Sequence, residues 1–143
     1  MMRWGRERGS VSVEMAILAP VFGLLLFASI WFGRISIALD AIDVAAHDAA
    51  RAASISRTAS SASANAEAAA NEALSQQGLN CVNGPNIQPD TSGFGQSGVD
   101  LEFVSVTITC EVSFTDIAFP RVPNTWTVQS TFISPIDVFR EQP

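Results

Sequence analysis

The residues of this chain that could do chemistry fall into three small groups. Gly9 closes a basic tail, Ser10 follows it, and Glu14 is the fifth residue counted from Ser10, at the point where an apolar run begins. A lone carboxylate carried into lipid costs at least ~2–3 kcal/mol, so Glu14 needs a partner or a polar layer. Cys81 and Cys110 are the only two cysteines and permit at most one internal disulfide. His47 is the single histidine, with Asp43 four residues before it and Asp48 beside it.

None of these groups reads as an enzyme centre. On a helix, sequence neighbours point about 100° apart, so Asp48 is a poor partner for His47. Asp43 is the better one, as a surface pair. A Ser-His-Asp arrangement would need the lone histidine in a packed site that so small a domain hardly offers. Two Cys and one His do not make a zinc-type cluster, and no Gly-rich phosphate loop is present. No catalytic residue, cofactor or metal is therefore expected. The chain has 143 residues and a formal net charge of −6, with 8 arginines and no lysine. So acidic a chain is badly suited to a phosphate backbone, which excludes nucleic acid as an expected partner.

The elements that must position these residues follow from where the charges are. Three Arg and one Glu give residues 1–9 a net +2, whereas residues 34–143 carry five Arg against twelve acids. Between Glu14 and Arg34 lie 19 uncharged residues, MAILAPVFGLLLFASIWFG. As a helix they span about 28 Å, close to the hydrocarbon thickness of a bilayer. Trp31 and Phe32 stand at the far end, where aromatic anchors sit. The basic tail predicts a cytoplasmic N-terminus and an extracytoplasmic remainder. Both cysteines fall in that remainder, which suits a Cys81–Cys110 bridge tying the 79–98 loop to the sheet.

Residues 35–77 lack Gly and Pro and are rich in Ala, which predicts a helix with a break near 56–64. A stripe runs through Ile37, Ala41, Val44, Asp48, Ala52, Ile55, Ala59, Ala62, Ala66, Ala69 and Ala73, with Asp43, His47, Arg51, Asn65 and Glu72 opposite. Gly78 is placed to end the helix. Residues 79–98 read as a loop with a short strand near Val82 or Ile87. The period then becomes two: Val104, Val106, Ile108, Cys110, Val112 and Phe114 alternate with polar residues, and Trp126, Val128, Ser130 and Phe132 do the same. Pro120 and Pro123 interrupt the connection. The expected fold is α+β: a long N-terminal membrane-spanning helix continues into an Ala-rich helix, with a small antiparallel sheet packed on its outer half. Four segments result: a cytoplasmic leader at 1–9, a transmembrane helix at 10–34, the Ala-rich helix at 35–77, and a loop and β domain at 78–143.

The stretch RERGSVSVEMAILAPVF resembles the signal sequence of type IV pilins, in which a membrane peptidase cuts after a glycine and leaves Glu at the fifth mature position. A glycine there lets catalytic groups approach the backbone closely. With HDAARAAS after the apolar segment, the Cys-bearing strand VTITCEVSF and the ending SPIDVFR, the chain resembles the TadE-like family. These are pilin-like minor proteins of tight-adherence (Flp-type) pili. Met15 departs from the major Flp pilins, which usually carry Tyr after the Glu, and the C-terminal domain is larger than theirs. The resemblance implies cleavage between Gly9 and Ser10 by a prepilin peptidase. It implies that Glu14 pairs with the new N-terminal amine and sets axial register. Ile17, Leu18, Val21, Leu24 and Leu25 would pack on neighbouring helices, with Pro20 and Gly23 allowing a bend. The implied partners are other pilins and minor pilins, the membrane assembly platform, the peptidase and the lipid bilayer. Three other readings stay open: a plain uncleaved anchor, a conventional secretory signal, although no A-x-A site lies near Ala28, and a membrane-anchored extracellular binding module or adhesin, outside any pilus, that uses the 82–98 loop.

Overall fold

A computed structural model of the chain describes residues 8–95, 102–117, 121 and 123–136. Arg3 and Arg6 of the leader, Pro120, and the ending at 137–140 lie outside the described residues. The elements are α1 (Arg8–Ser54), α2 (Ala59–Gln76), β1 (Asn86–Asp90), β2 (Phe103–Ser113), a 3-10 turn (Thr115–Ile117) and β3 (Thr125–Pro135). The chain is α+β, with a long apolar N-terminal helix, a second helix and an antiparallel sheet of three strands. Two compact units divide between Arg34 and Ile35.

The first unit is the apolar half of α1. Every residue from Val11 to Leu26 is exposed, on all sides of the helix. Pro20 lies inside it and has no N–H for the Ala16 carbonyl, yet the helix runs through. Ser29 returns its hydroxyl to the Leu25 carbonyl at 2.8 Å, so its one polar group is satisfied within the helix.

The second unit is built on alanine. From α1 it buries Ala38, Ala41, Ile42, Ala45, Ala46, Ala49, Ala50 and Ala53; from α2 it buries Ala62, Ala66, Ala70, Ala73 and Leu74. This buried face of α1 corrects the expected stripe. Ile37 and Ile55, chosen as apolar, are 67% and 68% exposed, and Val44 and Asp48 are exposed too. Apart from Ile42, the inward apolar side chains of α1 are alanine methyls, which fill the interior with little bulk. On α2 the expected Ala62, Ala66 and Ala73 are buried, and Ala70 takes the place of Ala69.

The helix break falls at residues 55–58, and hydroxyls satisfy the loose ends. Ser56 sends its hydroxyl to the Ala52 carbonyl at 3.0 Å and accepts a bond from Asn65 Nδ2 at 2.8 Å. Thr58 caps α2: its Oγ1 accepts the Ser61 N–H at 3.2 Å, and its own N–H reaches Ser61 Oγ at 3.2 Å. At the other end Gly78 has φ of 68°. The Leu79 N–H reaches the Leu74 carbonyl at 3.1 Å, and the Gly78 N–H reaches that of Ser75 at 3.0 Å. This is a Schellman ending, and only glycine adopts that φ without strain.

The sheet has the order β1-β2-β3, all antiparallel. β2 turns Val104, Val106, Ile108 and Cys110 into the same core as the alanines. Besides the two long strands, the short strand expected near Val82 or Ile87 is found at Ile87, as β1. Its Pro89 pairs with Val106 at the sheet's edge, where a missing N–H costs no ladder bond. After β1, the Ser92 hydroxyl and N–H bond the Asp90 carboxylate and hold its pKa below the ordinary value. Gly93 then passes so near Phe103 that a β-carbon would collide with the Phe103 carbonyl oxygen.

Cys81 and Cys110 are joined, with Cα atoms 5.3 Å apart. The bridge pins the segment after α2 to the buried face of β2, and the Val82 N–H to Glu111 carbonyl bond of 2.8 Å supports the same contact. Closing a loop of this length stabilises the fold by about 3–4 kcal/mol in the chain-entropy model. Protein isolated without reductant should therefore show no alkylatable thiol by mass spectrometry until it is reduced. Reduction should lower the thermal midpoint of the detergent-solubilised chain. Two free thiols in unreduced protein, or an unchanged midpoint on reduction, would contradict the bridge.

Candidate functional site

The residues singled out at the N-terminus all lie on α1. Gly9 and Ser10 are in its first turn. There the backbone N–H groups have no intrahelical partner, so unwinding into an extended strand costs little. At about 100° per residue, Glu14, Ile17, Leu18, Val21, Leu24 and Leu25 fall within an arc of about 120°, with Glu14 near its middle. Pro20 and Gly23 fall outside the arc. The helix thus presents one stripe that begins with the acid Glu14 and continues as branched aliphatics. Ser10 and Glu14 are i,i+4 neighbours, the spacing at which a positive group and a carboxylate can meet.

Glu14 is exposed, and so are Ile17 (65%), Val21 (51%) and Leu24 (64%). A core helix of a water-soluble domain would bury such a stripe. Among the described residues, α1 is the one helix long and apolar enough to cross a membrane, with an 18-residue window of mean hydropathy 2.2. Trp31 and Phe32 meet edge to face at 6.1 Å near the end of the uncharged run.

The other sequence candidates lie elsewhere. The disulfide belongs to the second unit and is structural. His47 does not pair with Asp43 as expected. Asp43 accepts a hydrogen bond from the Ser130 hydroxyl on β3. The His47 ring instead lies edge-on to Phe132 at 4.6 Å. That leaves its Nδ1 3.3 Å from Asp48 Oδ1. The sheet decides this outcome: β3 supplies both a hydroxyl for Asp43 and a ring for His47, and sequence spacing along one helix contains neither. Both residues join α1 to β3. No pattern in the sequence pairs Asp43 with Ser130 or His47 with Phe132, which lie more than eighty positions away.

Comparison with known proteins agrees with the N-terminal motif. Residues 9–51 match the model of a family described as TadE-like protein, the family that the sequence resembles. The matched stretch begins at Gly9, includes Glu14 and the whole uncharged run, and lies within α1. No curated protein and no solved structure matches the chain.

If the uncharged stretch is embedded in lipid, a charge at its centre is opposed by about 3 kcal/mol. Leu24→Arg should move part of the chain from the carbonate-resistant membrane fraction into the extract. Val82→Arg, on an exposed loop of the second unit, should not. Equal retention of both variants would argue against membrane embedding of residues 15–33.

Proposed function

We propose that this chain is a minor pilin or pseudopilin of a tight-adherence (Flp-type) pilus. It is a structural subunit in pilus assembly or at the tip, not a catalyst. The observation that carries the reading is the family match that starts at Gly9, on a helix whose apolar stripe is uncovered and begins with Glu14. In this reading a prepilin peptidase cuts between Gly9 and Ser10. The basic leader stays in the cytoplasm, α1 is held in the inner or cytoplasmic membrane, and the second unit lies outside it.

Cleavage changes the chemistry of the stripe. It removes the basic leader and creates an α-amino cation at Ser10, one turn before Glu14. The carboxylate then has a positive partner, on its own chain before assembly or on an adjoining subunit within the pilus. A charge pair in an apolar setting is strongly sensitive to the loss of one member, which makes it a device for register. Ile17, Leu18, Val21, Leu24 and Leu25 pack on other pilins and minor pilins and on the membrane assembly platform, through close contact in lipid.

N-terminal sequencing of protein from cells that contain the peptidase should read SVSVE, with Ser10 first. An intact Met1, or a start near Ser29, would overturn the reading. The role of Glu14 is separable from processing. Glu14→Gln and Glu14→Leu should be cleaved and inserted normally, while crosslinking to partner pilins and pilus output fall. Wild-type crosslinking and output in both would leave Glu14 without a role in assembly.

A further inference from the structure

The two edges of the sheet differ. On one edge β1 is only five residues long, includes Pro89 and ends at Asp90. On the other, β3 runs for 11 residues from Thr125 to Pro135. No charged residue occurs between Asn124 and Ile136. Natural sheets blunt their edges with short strands, prolines and charges. β1 is blunted in this way along its length, whereas β3 is long, uncharged and has proline only at its end.

The ladder fixes which groups β3 presents. The Phe114 N–H bonds the Asn124 carbonyl at 2.7 Å, and the Ile136 N–H bonds the Glu102 carbonyl at 2.8 Å. The β2–β3 register between them is constant, without a bulge. Even-numbered residues of β3 therefore bond β2, and the N–H and C=O of Thr125, Thr127, Gln129, Thr131 and Ile133 face the open edge. The next odd-numbered positions at the two ends are Pro123 and Pro135, which have no N–H. Among the described residues, the open edge is thus a window of five complete donor–acceptor pairs bracketed by prolines.

We propose that β3 pairs antiparallel with β3 of a second copy of this chain, about a two-fold axis through Gln129. This is the register that keeps both prolines outside the ladder, with Pro123 opposite Pro135. Every N–H and C=O from Thr125 to Ile133 is then paired, giving about ten main-chain hydrogen bonds.

The side chains identify the occupant as a second copy. In a two-fold pair the central residue meets itself, and like charges directly opposite repel. The residue at the centre is Gln129, whose amide is both donor and acceptor and so complements itself. Thr127 falls opposite Thr131, the kind of pair already made within the sheet by Thr107 and Thr131, whose hydroxyls are 2.8 Å apart. On the other face Trp126 falls opposite Phe132. These two rings are 42% and 39% exposed in the single chain, and cross-strand aromatic pairing covers both.

The test is disulfide trapping of the full chain in its membrane. Opposed residues in such a pair have Cα atoms about 5.5 Å apart, within disulfide reach. Gln129→Cys should give a homodimer on mild oxidation, with the Cys81–Cys110 bridge still intact by mass spectrometry. Thr127→Cys or Thr131→Cys alone should give about tenfold less, because each faces the other position, whereas co-expression of the two should restore it. Gln88→Cys on β1 should give only background. A Gln129→Cys chain that stays monomeric, that links instead to a different protein, or that links no better than Thr127→Cys or Gln88→Cys would overturn the proposal.

Discussion

An alanine methyl is the smallest side chain that still excludes water, and helices that meet through it can approach more closely than helices that meet through leucine. The helical side of the second unit's core is made mostly of such residues. α1 gives its core seven alanines and one isoleucine, and α2 gives four alanines and one leucine. Such residues bury little apolar area each, so the unit relies on fit more than on bulk. The larger aliphatics come from the other side, as Val104, Val106, Ile108 and Val128 of the sheet. Small against large is how facing layers fill space without voids. It also explains the disulfide: a core poor in bulk gains from a covalent tie between the segment after α2 and the buried face of β2.

One helix serves two surroundings, and its composition changes where they change. Before Arg34 it has no charge over 19 residues and no buried face up to Leu26. After Arg34 it has alanine on one side and Asp40, Asp43, His47, Asp48 and Arg51 on the other. The first pattern suits a medium apolar in every direction, where selectivity has to come from a rare polar group such as Glu14. The second suits water on one side and packed methyls on the other. The family match crosses this boundary and ends at Arg51, so the similarity includes both patterns of α1.

Where local chemistry was decisive, the sequence was legible. Gly78 ends α2 because a positive φ at that point leaves few alternatives, and Ser- and Thr-rich residues after Ser54 supply the hydroxyls that let a helix stop and restart. The alternation at 103–114 and 125–135 has contrast between apolar and polar positions, and it gave the right faces for Cys110 and Val128. The buried face of α1 was not legible, because alanine is frequent on every side and periodicity has no contrast there. Ile37, Val44 and Ile55 drew the stripe toward exposed positions. β1 was only half legible: Ile87 marked a strand, but Pro85 and Pro89 read as loop until the sheet placed Pro89 at an edge. The partners of Asp43 and His47 were out of reach, since Ser130 and Phe132 come from a strand more than eighty positions away.

Net charge constrains how copies of such a chain can meet. At −6 overall, most of the surface of one copy repels that of another within the roughly 8 Å over which charges act at physiological ionic strength. Among the described residues, acids stand exposed on α1 beyond Arg34, on α2, and at Asp90 and Asp116. The helix from Met15 to Gly33 and β3 are among the stretches free of them. These offer different kinds of contact. The helix has side chains but no spare backbone groups, so a partner there is selected by shape and by Glu14. The edge of β3 has spare backbone groups, so a partner there is selected by register, which the flanking prolines limit. A surface that combines backbone complementarity with no charge lets an acidic chain meet its own copy, because self-pairing there sets no like charges opposite one another.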